Sequence, residues 1–436
     1  MEIHFATAML WKRARPTIAV MILLLVRPAV AGRELRSAGS VLRNIGGEIT
    51  GLIQNTLRGD RGDIRNEILV SMAQRDAIEL VEKLRAEIEA IISTLVLGDE
   101  NQADNLIEIL LGSSQLVSSL ESKVAAYIVN ELDGNANEVK NTQWYDLIGS
   151  NSDFLSDVYL DISGIMQNVI AGSNNEAKSK MNVEVGSNGF STASGGTAQS
   201  DPEVPEAGEA ADPDTDSISI IGPEDLNLDV LLEAVVLNEV TNGNGNYLDN
   251  LVNIAAFNGV NAENIKAEIV AMVVNRVGGN DNSVENLVNI ALGICSDGPC
   301  DISDFAVDVS ATIFNDIQGD ESVISNTMRI VGAIGSDIDG KNAAEVAKAN
   351  SALENLERAI VETEAIIYNV VRPSGLIDQI PSVRNKIKNN IDIEFLRDVA
   401  VSDIKAKISA IIANEVKGNA NAIENMIRVR LGNNGL

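Results

Sequence analysis

Ile404 to Leu431 reads I-K-A-K-I-S-A-I-I-A-N-E-V-K-G-N-A-N-A-I-E-N-M-I-R-V-R-L. Counted back from Gly418, apolar residues fall at Ile404, Ile408, Ile411, Ile412 and Val416. That spacing matches one face of an amphipathic helix. Asn414 stands four places before the glycine, Asn419 directly after it and Asn425 seven places after it.

The same grid recurs around Gly59, Gly98, Gly134, Gly172, Gly243, Gly279 and Gly319. Around Gly279 the apolar set is Ile265, Ile269, Met272, Val273 and Val277, with Asn275 before and Asn286 after. Around Gly134 it is Leu120, Val124, Tyr127, Ile128 and Leu132, with Asn130 and Asn141. Thr94 replaces the first Asn beside Gly98, and Ser179 replaces the second beside Gly172. The copy at Gly243 carries one inserted residue, and a degraded copy surrounds Asn369, with Pro373 in the glycine's place. This is a repeat protein.

The spacing predicts an all-α chain of helical hairpins. A helix of about four turns would bury one stripe, the glycine would end it in a left-handed turn, and Asn or Asp would cap a shorter second helix. One hairpin cannot cover its own apolar face, so neighbours must stack into a solenoid or irregular array. Gly-to-Gly steps of 39, 36 and 38 residues from Gly59 to Gly172 fit that class. The Asn four places before the glycine lies off the centre of the helical stripe. Its return in a residue type that disfavours helices predicts a bond to the turn or to a neighbouring repeat.

Composition divides the chain. Lys12, Arg13 and Arg15 precede an apolar run from Thr17 to Val26, and Ala29-Val30-Ala31 offers a small-x-small cleavage site. Residues 1–31 therefore read as a secretory signal peptide, since the run is too short for the ~20 residues of a spanning helix. Residues 40–185 form the first expected helical array. Residues 186–223 are rich in Gly, Ser, Pro and acidic residues and read as a disordered linker. Residues 224–436 form the second array, in which Ala343 to Val371 reads as one long helix.

The formal net charge is −30. Residues 1–31 hold Lys12, Arg13, Arg15 and Arg27 against Glu2 alone, so their loss takes it to about −33. Nucleic acid and anionic membranes are poor partners for such a surface. Cations, basic proteins or further copies of the chain suit it better.

The only histidine is His4, inside the expected signal peptide. Histidine-based triads, histidine metal ligands and the usual general base are therefore missing from the mature chain. Cys295 and Cys300 bracket a Ser-Asp-Gly-Pro turn and read as a structural disulfide in an oxidising compartment. Asn244-Gly245-Asn246 and Asn280-Asp281-Asn282 resemble calcium loops without their sixth-position Gly or twelfth-position Glu, and could hold calcium only weakly. Arg58-Gly59-Asp60 and Arg61-Gly62-Asp63 spell adhesion tripeptides, but align with the ordinary inter-repeat turn. The expectation is a secreted, non-enzymatic structural or assembly protein without a required cofactor. Its partners would be itself or other secreted structural proteins. The alternative is a secreted carrier that shelters a lipid or small hydrophobe between amphipathic helices.

Overall fold

The computed structural model describes residues 17–25, 40–42, 45–72, 78–81, 84–111, 116–117, 119–147, 157–186, 227–241, 243–257, 262–294, 302–334, 358–372, 385–395, 403–417 and 421–431. Its strands are numbered in chain order. The first is β1 (Thr17–Leu25), and three others are short: β2 (Ser40–Leu42), β5 (Ile78–Val81) and β8 (Leu116–Val117). One set of long strands comprises β3 (Ile45–Arg58), β6 (Leu84–Leu97), β9 (Ser119–Asp133), β11 (Asp157–Ala171), β13 (Asn227–Thr241), β15 (Ala262–Gly278), β17 (Ile302–Gln318), β19 (Arg358–Arg372) and β21 (Asp403–Val416). Each is followed by its mate: β4 (Asp63–Met72), β7 (Gln102–Leu111), β10 (Glu138–Leu147), β12 (Glu176–Val185), β14 (Tyr247–Ala256), β16 (Ser283–Ile294), β18 (Val323–Ile334), β20 (Lys386–Phe395) and β22 (Ala422–Leu431).

Every pairing among these strands is parallel and joins one repeat to the next. The first set forms a 9-stranded sheet from β3 to β21, the mates form a 10-stranded sheet that begins at β1, and β2, β5 and β8 form a third of 3 strands. Each repeat is thus one coil of a parallel β-solenoid, stacked on its neighbour at the strand spacing of about 4.8 Å. The register keeps equivalent residues opposite one another: Asn130 beside Asn168, Asn238 beside Asn275, Asn275 beside Asn315.

The expected all-α hairpins are therefore overturned, and β15 shows why. Its inward residues are Ile265, Ala267, Ile269, Ala271, Val273, Asn275 and Val277, all buried, and the residues between them face out. The period is 2, as a pleated strand demands. Small Ala267 and Ala271 and polar Asn275 thin out the inward apolar row, while Met272 adds an apolar residue outside. Together they mimic a 3.6-residue period. Of the long helix expected over Ala343 to Val371, residues 358–371 lie instead in β19 (Arg358–Arg372). The solenoid also runs across the boundary between the two expected arrays, because β11 pairs with β13 and β12 with β14. Of the expected linker at 186–223 only Gly186 is described, and Cys295, Cys300 and Gly418 lie outside the described residues. Of the expected signal peptide only Thr17–Leu25 is described, as β1 on the outer edge of β4.

Burial splits the interior into two apolar columns. The larger runs through Ile53, Ile92, Ile128, Met166, Val236, Val273, Ile313 and Ile367 and their partners across the sheets. The smaller hugs the turn, from Leu57 and Ile64 through Val277 and Val284 to Val371 and Ile387. Each buried Ile or Leu contributes about 1.5–3 kcal/mol relative to exposure. Size is balanced locally: Tyr145 is fully buried on β10, and a side chain at Gly164 on the facing β11 would strike its hydroxyl.

Candidate functional site

Between the two apolar columns runs a seam of asparagine. One file holds Asn55, Thr94, Asn130, Asn168, Asn238, Asn275, Asn315, Asn369 and Asn414, and the facing file holds Asn66, Asn105, Asn141, Ser179, Asn250, Asn286, Asn326, Asn389 and Asn425. Away from the two ends these side chains are buried. The repeat Asn residues therefore lie in the core itself. They are not on the flank of a stripe, and their bonds run to the neighbouring coil.

The seam is saturated and it has a direction. Asn130 Nδ2 donates to Asn168 Oδ1 at 2.9 Å, and Asn275 Nδ2 to Asn315 Oδ1 at 2.8 Å. In the facing file Asn250 Nδ2 donates to Asn286 Oδ1 at 2.8 Å, and Asn326 Nδ2 to Asn389 Oδ1 at 2.7 Å. Cross-bonds join the files, such as Asn275 Nδ2 to Asn286 Oδ1 at 3.0 Å. Along the chain each amide donates toward the C-terminal coils and accepts from the N-terminal ones. An amide carries both groups, so a file of identical residues satisfies itself. Buried polar groups without partners would cost about 1–3 kcal/mol each.

The turns carry further ladders. Gly59, Gly98, Gly134, Gly172 and Gly279 have φ between 114° and 147°, a region open to glycine. A Cβ at Gly98, Gly134, Gly172, Gly243, Gly279 or Gly319 would overlap the carbonyl of the glycine one coil earlier. The glycines are thus needed for close stacking as well as for the turn. After each comes a side chain that caps the next coil: Asp60 Oδ1 accepts from Asp99 N at 2.9 Å, and Asn244 Oδ1 from Asn280 N at 2.7 Å. Two residues later a second file runs the other way, with Asn101 N donating to Asn137 Oδ1 and Asn246 N to Asn282 Oδ1, both at 2.9 Å.

These bonds account for both sets of turn motifs. The oxygens of Asn244, Asn246, Asn280 and Asn282, read as loose calcium loops, accept backbone N–H groups of adjacent coils. Asp60 of the first Arg-Gly-Asp is bound in the same way, and Arg61 of the second pairs with Glu100 at 2.6 Å. Sequence reasoning found the seam residues and the glycines but missed the second turn file, although Asn101, Asn137, Asn175, Asn246, Asn282 and Asn421 recur three places after the glycine position.

The outer faces are charged. A groove of about 310 Å³ crosses the 9-stranded sheet near its N-terminal end, lined by Glu48, Glu87, Glu89, Lys123 and Asp161. On the other sheet burial, then the charges of Glu67 and Asp146, raise the Glu108 pKa above the ordinary carboxylate range. Burial likewise raises Asp146, and burial followed by Glu285 raises Asp249. Tyr247 is pushed up to about 12, chiefly by burial and by Asp249. Among the described residues no cluster of three or more His, Cys, Asp or Glu is arranged to hold a metal ion.

Among the described residues, β21 and β22 are the open edges of the two large sheets at the C-terminal side. In β21 and β22 no described residue is fully buried, and Ile404, Ile411, Ile423, Met426, Ile427, Val429 and Leu431 are each more than two-fifths exposed. Asn414 Nδ2 reaches only Asn425 Oδ1, at 3.3 Å. No described residue pairs with the outer edge of either strand.

Comparison with family models, with curated proteins and with solved structures returns no match. The class that the fold defines is therefore an asparagine-seamed parallel β-solenoid, and any role must be argued from this chain's own residues.

Proposed function

We propose that the chain is a secreted, non-enzymatic structural protein that assembles through its coils. The observation that carries this reading is the open C-terminal coil, which keeps the full internal pattern on an unpaired edge. An edge of this kind is a template for another strand. The carrier alternative draws less support: it relied on apolar faces left over from helices, and here those side chains fill the solenoid's own interior. The groove on the outside is rimmed by Glu48, Glu87, Glu89, Lys123 and Asp161, and the apolar residues beneath it, Ile49, Ile88 and Val124, belong to the solenoid's own core.

The high acidity fits an assembly that is held back by like charge at neutral pH and low salt. The test is to express the full chain in a secreting host, read the N-terminus of the product, and follow its mass by light scattering from about pH 7 to about pH 4.5. The expected product begins at Gly32 and grows beyond the monomer as the pH approaches the sequence value of 4.3. A chain that is retained in the cell, or one that stays monomeric throughout and carries stoichiometric lipid in native mass spectrometry, would overturn the reading.

A further inference from the structure

The occupant of the open coil can be argued from the seam's direction and from the charges beside it. At the C-terminal end Asn425 Nδ2 has no acceptor among the described residues, and Asn414 Nδ2 uses one hydrogen on Asn425 Oδ1 and keeps the other. At the N-terminal end, among the described residues, Asn66 Oδ1 accepts from Asn55 alone and Asn55 Oδ1 accepts from none. Among those residues, unused donors thus end one face of the stack and unused acceptors the other. A tail-to-tail contact would set donor against donor, whereas head-to-tail stacking continues the seam.

The flanking charges agree. When the repeat register is continued by one coil, β3 and β4 of a second copy fall over β21 and β22. Asn55 then lies over Asn414 and Asn66 over Asn425. Lys407 falls opposite Glu48, and Glu424 opposite Arg65. Lys407 already pairs with Glu362 on its inner side at 3.6 Å, and Lys388 is the inner neighbour of Glu424. The alternation of sign would carry on across the junction, as it does within the chain where Lys266 meets Asp229 at 3.5 Å. Exposed Leu52 would cover exposed Ile411. The one like-charged pair, Lys417 with Arg58, sits at the exposed margin of the turn, where solvent and salt screen it.

We infer that the C-terminal coil binds the N-terminal coil of a second copy of this chain, in register and head to tail. The inference rests on the assembly reading above and adds the partner and its orientation. It also gives β1 a role. β1 pairs with β4 along the edge that the incoming β22 needs, from Thr17 beside Asp63 to Leu25 beside Ser71. While β1 stays in place that edge is occupied, and loss of residues 1–31 frees it.

The experiment is a charge swap on exposed outward positions, read by sedimentation at about pH 7 and ~0.15 M salt, where charges more than about 8 Å apart are screened. The base protein is the chain from Gly32 onward, with strand content checked by circular dichroism against the full chain. One variant carries Lys407→Glu with Glu424→Arg, and the other carries Glu48→Lys with Arg65→Glu. Two exposed pairs turned from attraction to repulsion should weaken self-association roughly tenfold in each variant alone. Mixing the two variants restores complementary ends and should restore association. If the base protein associates but the mixture is no better than either variant, head-to-tail docking is overturned while self-assembly stands. If the base protein does not associate at all, under these conditions or on acidification, the assembly reading falls and this inference with it. Equal association of the full chain and the shortened one would overturn the role given to β1.

Discussion

Asn275 is the sharpest place to test whether the seam stabilises the rod. It is fully buried, and its side chain makes four bonds. It accepts from Asn238 Nδ2 at 2.8 Å and from Asn250 Nδ2 at 3.1 Å, and donates to Asn286 Oδ1 at 3.0 Å and Asn315 Oδ1 at 2.8 Å. Asn275→Ala removes all four. A net value of about 0.5–1.5 kcal/mol per bond brackets the loss at about 2–6 kcal/mol. Each partner keeps at least two other seam bonds, among them Asn168 to Asn238 at 2.7 Å, Asn238 to Asn250 at 2.9 Å, Asn250 to Asn286 at 2.8 Å, Asn286 to Asn315 at 3.2 Å and Asn315 to Asn326 at 3.1 Å. No partner is orphaned, so the expected cost lies in the lower half, about 2–4 kcal/mol. The control is Asn414→Ala in the half-exposed terminal coil, where water replaces the lost partners and the expected cost is below about 1 kcal/mol. Urea midpoints by circular dichroism, with unchanged slope, give both values. If Asn275→Ala costs less than about 1 kcal/mol, or no more than Asn414→Ala, the seam is filler and the argument fails.

The glycine column makes a paired prediction. Gly134→Ala places a Cβ on the Gly98 carbonyl at φ 147° and should cost about 3 kcal/mol or more, whereas Gly59→Ala, which meets nothing within 4 Å, should cost only the backbone strain of about 1–2 kcal/mol; equal losses in melting experiments would refute the stacking role. Acid should not unfold the rod through its outer-face carboxylates. Glu108, Asp146 and Asp249 have folded pKa values raised above their ordinary ones, so their ionisation penalises the fold at neutral pH and protonation lifts that penalty as pH falls through the raised values. The melting temperature at fixed ionic strength should rise as the pH falls from neutral toward the ordinary carboxylate range, and a fall there would overturn the inference that these raised carboxylates set the acid response.

The repeat, its length, its turns and the positions of its special residues were legible in the sequence, but the strand period was not. In a coil such as 262–294 the inward row of β15 reads Ile, Ala, Ile, Ala, Val, Asn, Val. Alternation of apolar with polar is the usual mark of a strand. Here two inward positions are as small as alanine, one is an amide, and Met272 and Val274 lie outward but apolar. The remaining large residues at 265, 269, 272, 273 and 277 then fall on helical spacing. The signal against a helix was the density of Ile and Val, which favour strands. The glycine was equally ambiguous. A helix end and a tight β-turn both need positive φ, and the decisive fact, that each glycine's missing Cβ makes room for the carbonyl of the coil before it, belongs to stacking and not to local sequence.

In-register stacking also explains which residues can repeat inside and which must vary outside. A file of identical residues at about 4.8 Å spacing is favourable for Ile, which packs on itself, and for Asn, which both donates and accepts. Aspartate in that file would set carboxylate on carboxylate in a dry interior, so the buried files hold Asn with Thr94 and Ser179 as the exceptions, both of which can also donate and accept. Outside, identity is a liability for charged residues. Glu48 and Glu87 are stacked directly, but Lys123 then interrupts the row before Asp161, and further along Glu362 is followed by Lys407. The rod therefore needs a uniform inside and an interrupted outside. The same rule bears on orientation, because a directional amide file can be extended only by a neighbour that offers acceptors to its donors, as the proposed head-to-tail docking would.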